Sequence, residues 1–154
     1  MSAESFVLRR YVPADEAGTL ELWRRTWQIA YPHIDFTARL GWWRERWRDE
    51  IVPACTVIVA EPQDASGNLV GFVTLDVRTG YLDQIVVAPE FWGSSAADAL
   101  LDAAKEIAPA AIELHVNRDN GRAIRFYEKH GFAVTGEDVN PRSGAFIYKM
   151  SWRA

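Results

Sequence analysis

Hydrophobic and polar positions change period several times along the chain, and each change marks a new element. Phe6-Val7-Leu8 followed by Arg9-Arg10 predicts an edge strand over residues 5–11. Pro13-Ala14-Asp15 opens a helix running to about Ala30, in which Leu20, Trp23 and Trp27 keep helical spacing. Pro32 ends it. A second helix, over about residues 37–48, is dense in tryptophan and arginine (GWWRERWRDE), and Pro53 closes that region. Residues 56–61 (TVIVAE) and 69–77 (LVGFVTLDV) are strand patterns joined by a turn over 62–68, which together predict a hairpin.

The pattern that organises the rest begins at Tyr81. Ile85, Val86 and Val87 form a β-branched run closed by Ala88-Pro89, because proline cannot extend a central strand. After the turn 90–95 the period becomes helical: Ala96, Leu100 and Ala104 repeat at four, with Ala97, Leu101 and Lys105 beside them. Serines are available to cap this helix. A strand, a small-residue turn and a helix start present unpaired N–H groups and the positive end of a dipole, a ready anion site. The same residues equally make an ordinary connection. A second unit follows: a strand over 111–116, a polar turn, a helix over about 120–130 and a stop at Gly131. A strand over 132–135, a polar loop over 136–144 and a last strand over 145–152 complete the chain.

Together the two units resemble the GNAT superfamily of acyl-CoA-dependent N-acetyltransferases. Asn120-x-x-Ala123-x-x-x-Tyr127-x-x-x-Gly131-Phe132 is similar to that family's helix at the thiol end of the cofactor, with its tyrosine and its Gly-Phe exit. The family's phosphate-loop pattern has Arg or Gln, two residues, Gly, one residue, then Gly or Ala. Here it falls on Trp92, Ser95 and Ala97, and only the last fits. The order β-α-α-β-β-β-α-β-α-β-β is also the family's, so the resemblance covers nearly the whole chain and implies one domain over 1–154. It implies an α/β (α+β) mixed sheet, mostly antiparallel, splayed between strands 4 and 5 and flanked by about four helices, with acyl-CoA in the opening. Periodicity alone gives only a mixed α/β protein.

Composition narrows the partners. With 154 residues, 49% hydrophobic and 25% charged, the chain is long enough for a substantial core. A net charge of −4 argues against nucleic acid as the principal partner. No apolar run approaches the ~18 residues that span a bilayer. The lone Cys55 cannot form an intramolecular disulfide, which suits a reducing cytoplasm. The expectation is a soluble cytoplasmic domain. None of the histidines has metal-ligand spacing, so no metal is expected, and all three read as structural or surface residues.

Acyl transfer to an amine needs four provisions, and the resemblance suggests residues for each. Backbone N–H groups from Trp92 through Gly93, Ser94, Ser95, Ala96 and Ala97 would hold the pyrophosphate. Ile85 would donate its N–H to the thioester oxygen, Val87 would bind the pantetheine amides, and Val86 lies between them. Asn120, Arg122, Ala123 and Phe126 would line the cofactor beside Tyr127, with Arg122 a candidate for the 3′-phosphate. Tyr127 would protonate the departing thiolate. Where several family members carry a glutamate this chain has Tyr81; alternation puts Asp83 on the same face, as a base or as a salt-bridge partner. Trp23, Trp27, Tyr31 and Tyr81 are candidates for the acceptor site, while helically spaced aromatics also serve as core. The resemblance thus implies acetyl transfer from acetyl-CoA to a primary amine of a small molecule or peptide by direct attack, and leaves a homodimer open. The alternative is a GNAT-fold module that binds acyl-CoA or another ligand without turnover.

Overall fold

The structure is a computed structural model that describes residues 6–64 and 67–154. Position 5 of the expected first strand and positions 65 and 66 of the expected turn lie outside those residues. Strand β1 (Phe6–Arg10) leads through a 3₁₀ turn (Pro13–Asp15) into α1 (Glu16–Ala30) and then α2 (Phe36–Arg46). A π turn (Trp47–Ile51) and the short α3 (Val52–Ala54) precede β2 (Thr56–Pro62), β3 (Gly71–Asp76) and β4 (Tyr81–Val87). Helix α4 (Ala96–Ile107), β5 (Ala111–Asn117), α5 (Gly121–Lys129), β6 (Ala133–Val139) and β7 (Phe146–Arg153) follow.

The strands form one sheet in the order β1-β2-β3-β4-β5-β7-β6. Every neighbouring pair is antiparallel except β4 and β5, which run parallel and touch in register at Tyr81 and Glu113. Beyond that pair the two strands diverge, as the family resemblance implies.

Each face of the sheet carries its own core. On one face Ala96, Leu100, Leu101 and Ala104 of α4 and Tyr127 of α5 pack on Val73, Leu75, Leu82, Leu114, Val116 and Met150. On the other, Leu20, Leu22 and Trp23 of α1 and Trp43 of α2, with Trp47 and Ile51, cover Val57, Val59, Phe72 and Val86. Burying each large side chain contributes about 1.5–3 kcal/mol against leaving it in water. The second layer covers β2 to β4 and stops there. The same face of β5 and β7 carries Glu113, His115, Asn117, Lys149 and Ser151, and it stays open.

Two elements differ from the sequence reading. The expected helix over 37–48 runs as α-helix only to Arg46, then widens into the π turn. Trp43, Trp47 and Ile51 are all buried and spaced by four. At 3.6 residues per turn that spacing drifts by about 40° per step. A wider turn brings the three back onto one face. The expected loop over 136–144 is shorter, because β6 continues through Gly136, Glu137 and Asp138. This strand is the sheet's edge and exposed along nearly its whole length, so it shows no hydrophobic alternation. Among the described residues no helix is long and apolar enough to cross a membrane.

Candidate active site

Backbone alternation defines what β4 presents to the opening. Ala88 N–H donates to Val70 O of the chain entering β3 at 2.8 Å, so alternate residues back along the ladder, including Val86, also face β3. Ile85 and Val87 therefore turn their N–H and C=O groups the other way, toward β5, where the ladder has already ended. Val86 does not share that role. Its backbone is committed to β3 and its side chain, 3% exposed, packs under α1 and α2.

The turn after β4 is more self-contained than its sequence suggests. Trp92 N–H donates to Pro89 O, Ser94 N–H to Phe91 O, and Ala96 N–H to the Ser94 hydroxyl. Those three donors are engaged within the turn, whereas Gly93 and Ala97 have no N–H acceptor among the described residues. Gly93 takes the positive φ of 85° that the turn requires, with open space where a Cβ would stand. Ser95, in the position the family pattern gives to glycine, has φ −82°, a conformation any residue adopts without strain. It is the N-cap of α4, although its side chain makes no capping bond.

Trp92 bridges the loop and the strand: its indole N–H donates to Val87 O at 2.8 Å. The guanidinium of Arg122, in the first turn of α5, lies 4.5 Å from the centre of the same indole. Position 92 has no charge of its own, and a cation reaches it from the other side of the opening.

Helix α5 is held at both ends. Asn120 is its N-cap, and its side-chain oxygen accepts from Ala123 N–H at 3.2 Å. At the other end Phe132 N–H donates to Tyr127 O and Gly131 N–H to Glu128 O, the paired bonds of a Schellman stop. Between these anchors Tyr127 is 7% exposed, with its ring against Phe126 and Phe132. No side chain among the described residues bonds its hydroxyl. Burial, and then the proximity of Tyr81, raise its pKa well above that of a free phenol, so it keeps its proton at neutral pH. Phe126 also stacks toward His130, which bonds Asp98 of α4 at 2.6 Å.

The open polar face of β5 lies on the side of the sheet opposite this helix. Tyr81 and Asp83 do share a face, but both carboxylate oxygens of Asp83 accept from Arg46 of α2, at 3.0 and 2.5 Å. The salt-bridge reading of Asp83 is the one this geometry favours. Tyr81 instead bonds His115 Nδ1 at 2.8 Å. Tyr31, at the end of α1, accepts from Asn117 Nδ2 at 3.1 Å and donates to Asp119 at 3.3 Å, tying α1 to the end of β5. A small cleft lies here, lined by Ala30, Tyr31, Asp119 and Asn120. Trp27 stacks on Tyr31 with centroids 5.6 Å apart and stays half-buried at this rim.

Trp23 is a correction. It is 5% exposed and stacked on Trp43 at 4.8 Å, so it is core and presents no face to an acceptor. Arg142, from the loop before β7, lies 4.0 Å over the Trp42 ring of α2. His115 and Arg46 escaped the sequence reading. The signal for His115 was present: in AIELHVN the apolar residues Ile112, Leu114 and Val116 alternate with Glu113, His115 and Asn117, a strand with one wet face.

Comparison with known proteins agrees with this architecture. The profile of the acetyltransferase (GNAT) family matches residues 17–132. A mycothiol acetyltransferase of Propionibacterium freudenreichii subsp. shermanii is 36% identical over 87 residues, 50% of this chain and 28% of the relative. The chain thus covers little more than a quarter of that relative's length. The PaiA N-acetyltransferase of Thermoplasma acidophilum, solved in complex with coenzyme A, superposes with a TM-score of 0.80 at 23% identity, over 97% of this chain and 99% of that one. For yncA of Salmonella typhimurium, solved with its cofactor acetyl-CoA, the TM-score is 0.65 at 18% identity, over 97% and 94% of the two chains. At these identities the structural likeness is one of fold. Matched over most of its length by the profile and over nearly all of it by these folds, the chain belongs to the acetyltransferase (GNAT) family.

Proposed function

We propose that residues 1–154 act as one domain that transfers an acetyl group from acetyl-CoA to a primary amine of a small molecule or peptide by direct attack. The observation that carries this reading is the meeting, at one sheet opening, of backbone N–H groups of Ile85 and Val87 left without a β5 partner and a buried, protonated Tyr127 whose hydroxyl no described side chain bonds. The residues present fit a CoA thioester. The N–H groups of Gly93 and Ala97 and the start of α4 suit a pyrophosphate, and the Ser95 backbone leaves the loop unstrained. Arg122, held on Trp92, supplies the positive charge that position 92 lacks. CoA in the solved structures of PaiA and yncA supports the same ligand here.

Bound acetyl-CoA supplies an activated acyl group and a thiol as leaving group. The chain's own part is electrostatic and acid–base. Ile85 N–H is a fixed donor for negative charge developing on an acyl oxygen, and Tyr127 holds a proton for a departing sulfur. Tyr31, Trp27 and Tyr81 would meet the acceptor along the open face of β5. Burial, followed by the charges of Asp83 and Asp76, pushes the Cys55 thiol up to about 11. It therefore stays protonated and is a poor nucleophile, which favours direct attack over an acyl-enzyme.

The rival reading is a binding module without turnover. It draws on Asp83 being held by Arg46 and on the Trp92 indole occupying the Val87 carbonyl. Titration calorimetry with acetyl-CoA, paired with thiol release from a panel of primary amines, separates the two. Micromolar binding with thiol release is expected. Replacing Tyr127 with Phe should lower turnover by about 10²-fold or more while the acetyl-CoA affinity holds. Binding without release for any amine favours the module, and no binding at millimolar acetyl-CoA sinks the enzyme reading and leaves a module for a different ligand.

A further inference from the structure

Among the described residues Tyr81 and His115 form a hydrogen-bonded pair on the wet face of the sheet at the point where β4 and β5 part. Their rings lie 5.6 Å apart at 54°, with Tyr81 half-buried and His115 exposed. Tyr81, after burial, contributes to the raised pKa of Tyr127, which packs on the other face of the sheet. The glutamate that several family members carry is absent from position 81, and Asp83, on the same face as Tyr81, is bound through both oxygens to Arg46.

Building on the proposed acetyl transfer, we infer that Tyr81 and His115 relay the proton an acceptor ammonium must lose before attack. The ammonium N–H bond breaks toward the Tyr81 oxygen as the phenolic proton passes to His115 Nδ1. The amine becomes neutral, Tyr81 ends as a phenol, and His115 becomes an imidazolium. Its Nε2 proton then leaves to water, and solvent exchange at the exposed ring (Nδ1–H lost, Nε2–H regained) restores the starting tautomer before the next turnover. Tyr81 is the catalytic residue of the pair, and His115 acts through it. Burial, above all, pushes the Tyr81 phenol up to about 12, so Tyr81 keeps its proton rather than ionising by itself.

The groups facing the imidazole are accounted for. They are Tyr81 and the Asp83–Arg46 pair from β4 and α2, and Glu113 along β5. Opposite in register on β7 stands Lys149, itself paired with Glu113 at 3.3 Å. Tyr31 on α1 bonds the neighbouring Asn117. Both charged pairs are self-compensating.

The test uses the full chain with acetyl-CoA and four amines: benzylamine, tryptamine, putrescine and Nα-acetyl-lysine. The pH profile of kcat/KM is read by thiol release for wild type, His115→Gln, His115→Ala and Tyr81→Phe. The wild-type profile should fall on its acid side as the relay takes up a proton. Each variant should lose about 10- to 100-fold and that acid limb, with acetyl-CoA affinity unchanged. Added imidazole should restore part of the His115→Ala activity. A wild-type-shaped profile in either His115 variant overturns the relay while leaving acetyl transfer standing. Absence of turnover in the wild-type chain with all four amines overturns both. Histidine ¹⁵N spectra give an activity-independent check. His115 should be the Nε2–H tautomer in the wild-type chain and lose that preference in Tyr81→Phe. An Nδ1–H tautomer in the wild-type chain overturns the relay.

Discussion

Asp15 shows how a single carboxylate holds the first turn of the chain. It accepts from both terminal nitrogens of Arg9, at 2.9 and 2.8 Å, and from Val12 N–H at 2.8 Å, while Arg9 also bridges to Glu61 of β2. Arg9, first, and then the Val12 N–H lower the Asp15 pKa against the opposing effect of burial. A lowered folded-state value means that its stabilisation is complete above the ordinary carboxylate range near ~3.9 and is lost as pH falls through the lower value. Asp15→Asn should therefore flatten the acid side of a Tm-against-pH curve below about pH 4. At pH 7 it should cost about 1 kcal/mol, discounted because Arg9 is partly in solvent. An unchanged acid limb would show that other carboxylates dominate. Ser95 is a counter-case at the same scale: the sequence pattern marks it as a misfit for a glycine position, yet its φ of −82° shows that the backbone there does not require glycine.

At the scale of one element, α5 depends on how it stops. Gly131 has φ 90°, and a Cβ there would stand 3.1 Å from the Trp152 ring. The Gly131 and Phe132 amides close the last turn, and Phe132 returns to the core against Tyr127. Gly131→Ala should cost about 1–2 kcal/mol for the left-handed backbone alone. At about 2–4 °C per kcal/mol for a chain of this size, a drop in Tm of several degrees is expected in a thermal scan. An unchanged Tm would mean that the stop relaxes at no cost. The stop was legible in the sequence because only glycine fits it. The π turn after α2 was not, because its cause is the demand that Trp43, Trp47 and Ile51 all be buried against the same sheet.

For the whole molecule the decisive feature is the sheet that opens after one β4–β5 pair. Ile85 and Val87 are apolar, so exchanging their side chains says little about their backbone roles. Amide exchange tests those roles directly. In the free protein the N–H groups of Ile85 and Val87 should exchange faster than that of Val86, which faces β3. Saturating acetyl-CoA should slow the first two selectively. Equal protection of all three in the free protein, or no change on ligand addition, would refute the assignment.

What the amino-acid order settled by itself was everything with a local cause. Alternation and helical spacing set most strands and helices, Gly93 and Gly131 mark the turns only glycine favours, and Asn120 through Phe132 carried the family pattern. Composition and pattern also pointed to a chain with a large core. What remained undecided depended on partners distant in sequence. Whether Asp83 was a base or a salt bridge turned on Arg46, 37 positions away. Whether Trp23 was wall or core turned on Trp43 stacking against it. Arg122 reached Trp92, and His115 reached Tyr81, only because the crossover through α4 brings β4 and β5 side by side. A side chain's chemistry is local, but its hydrogen-bond partner and its access to water are properties of the packed chain, and those assign its role.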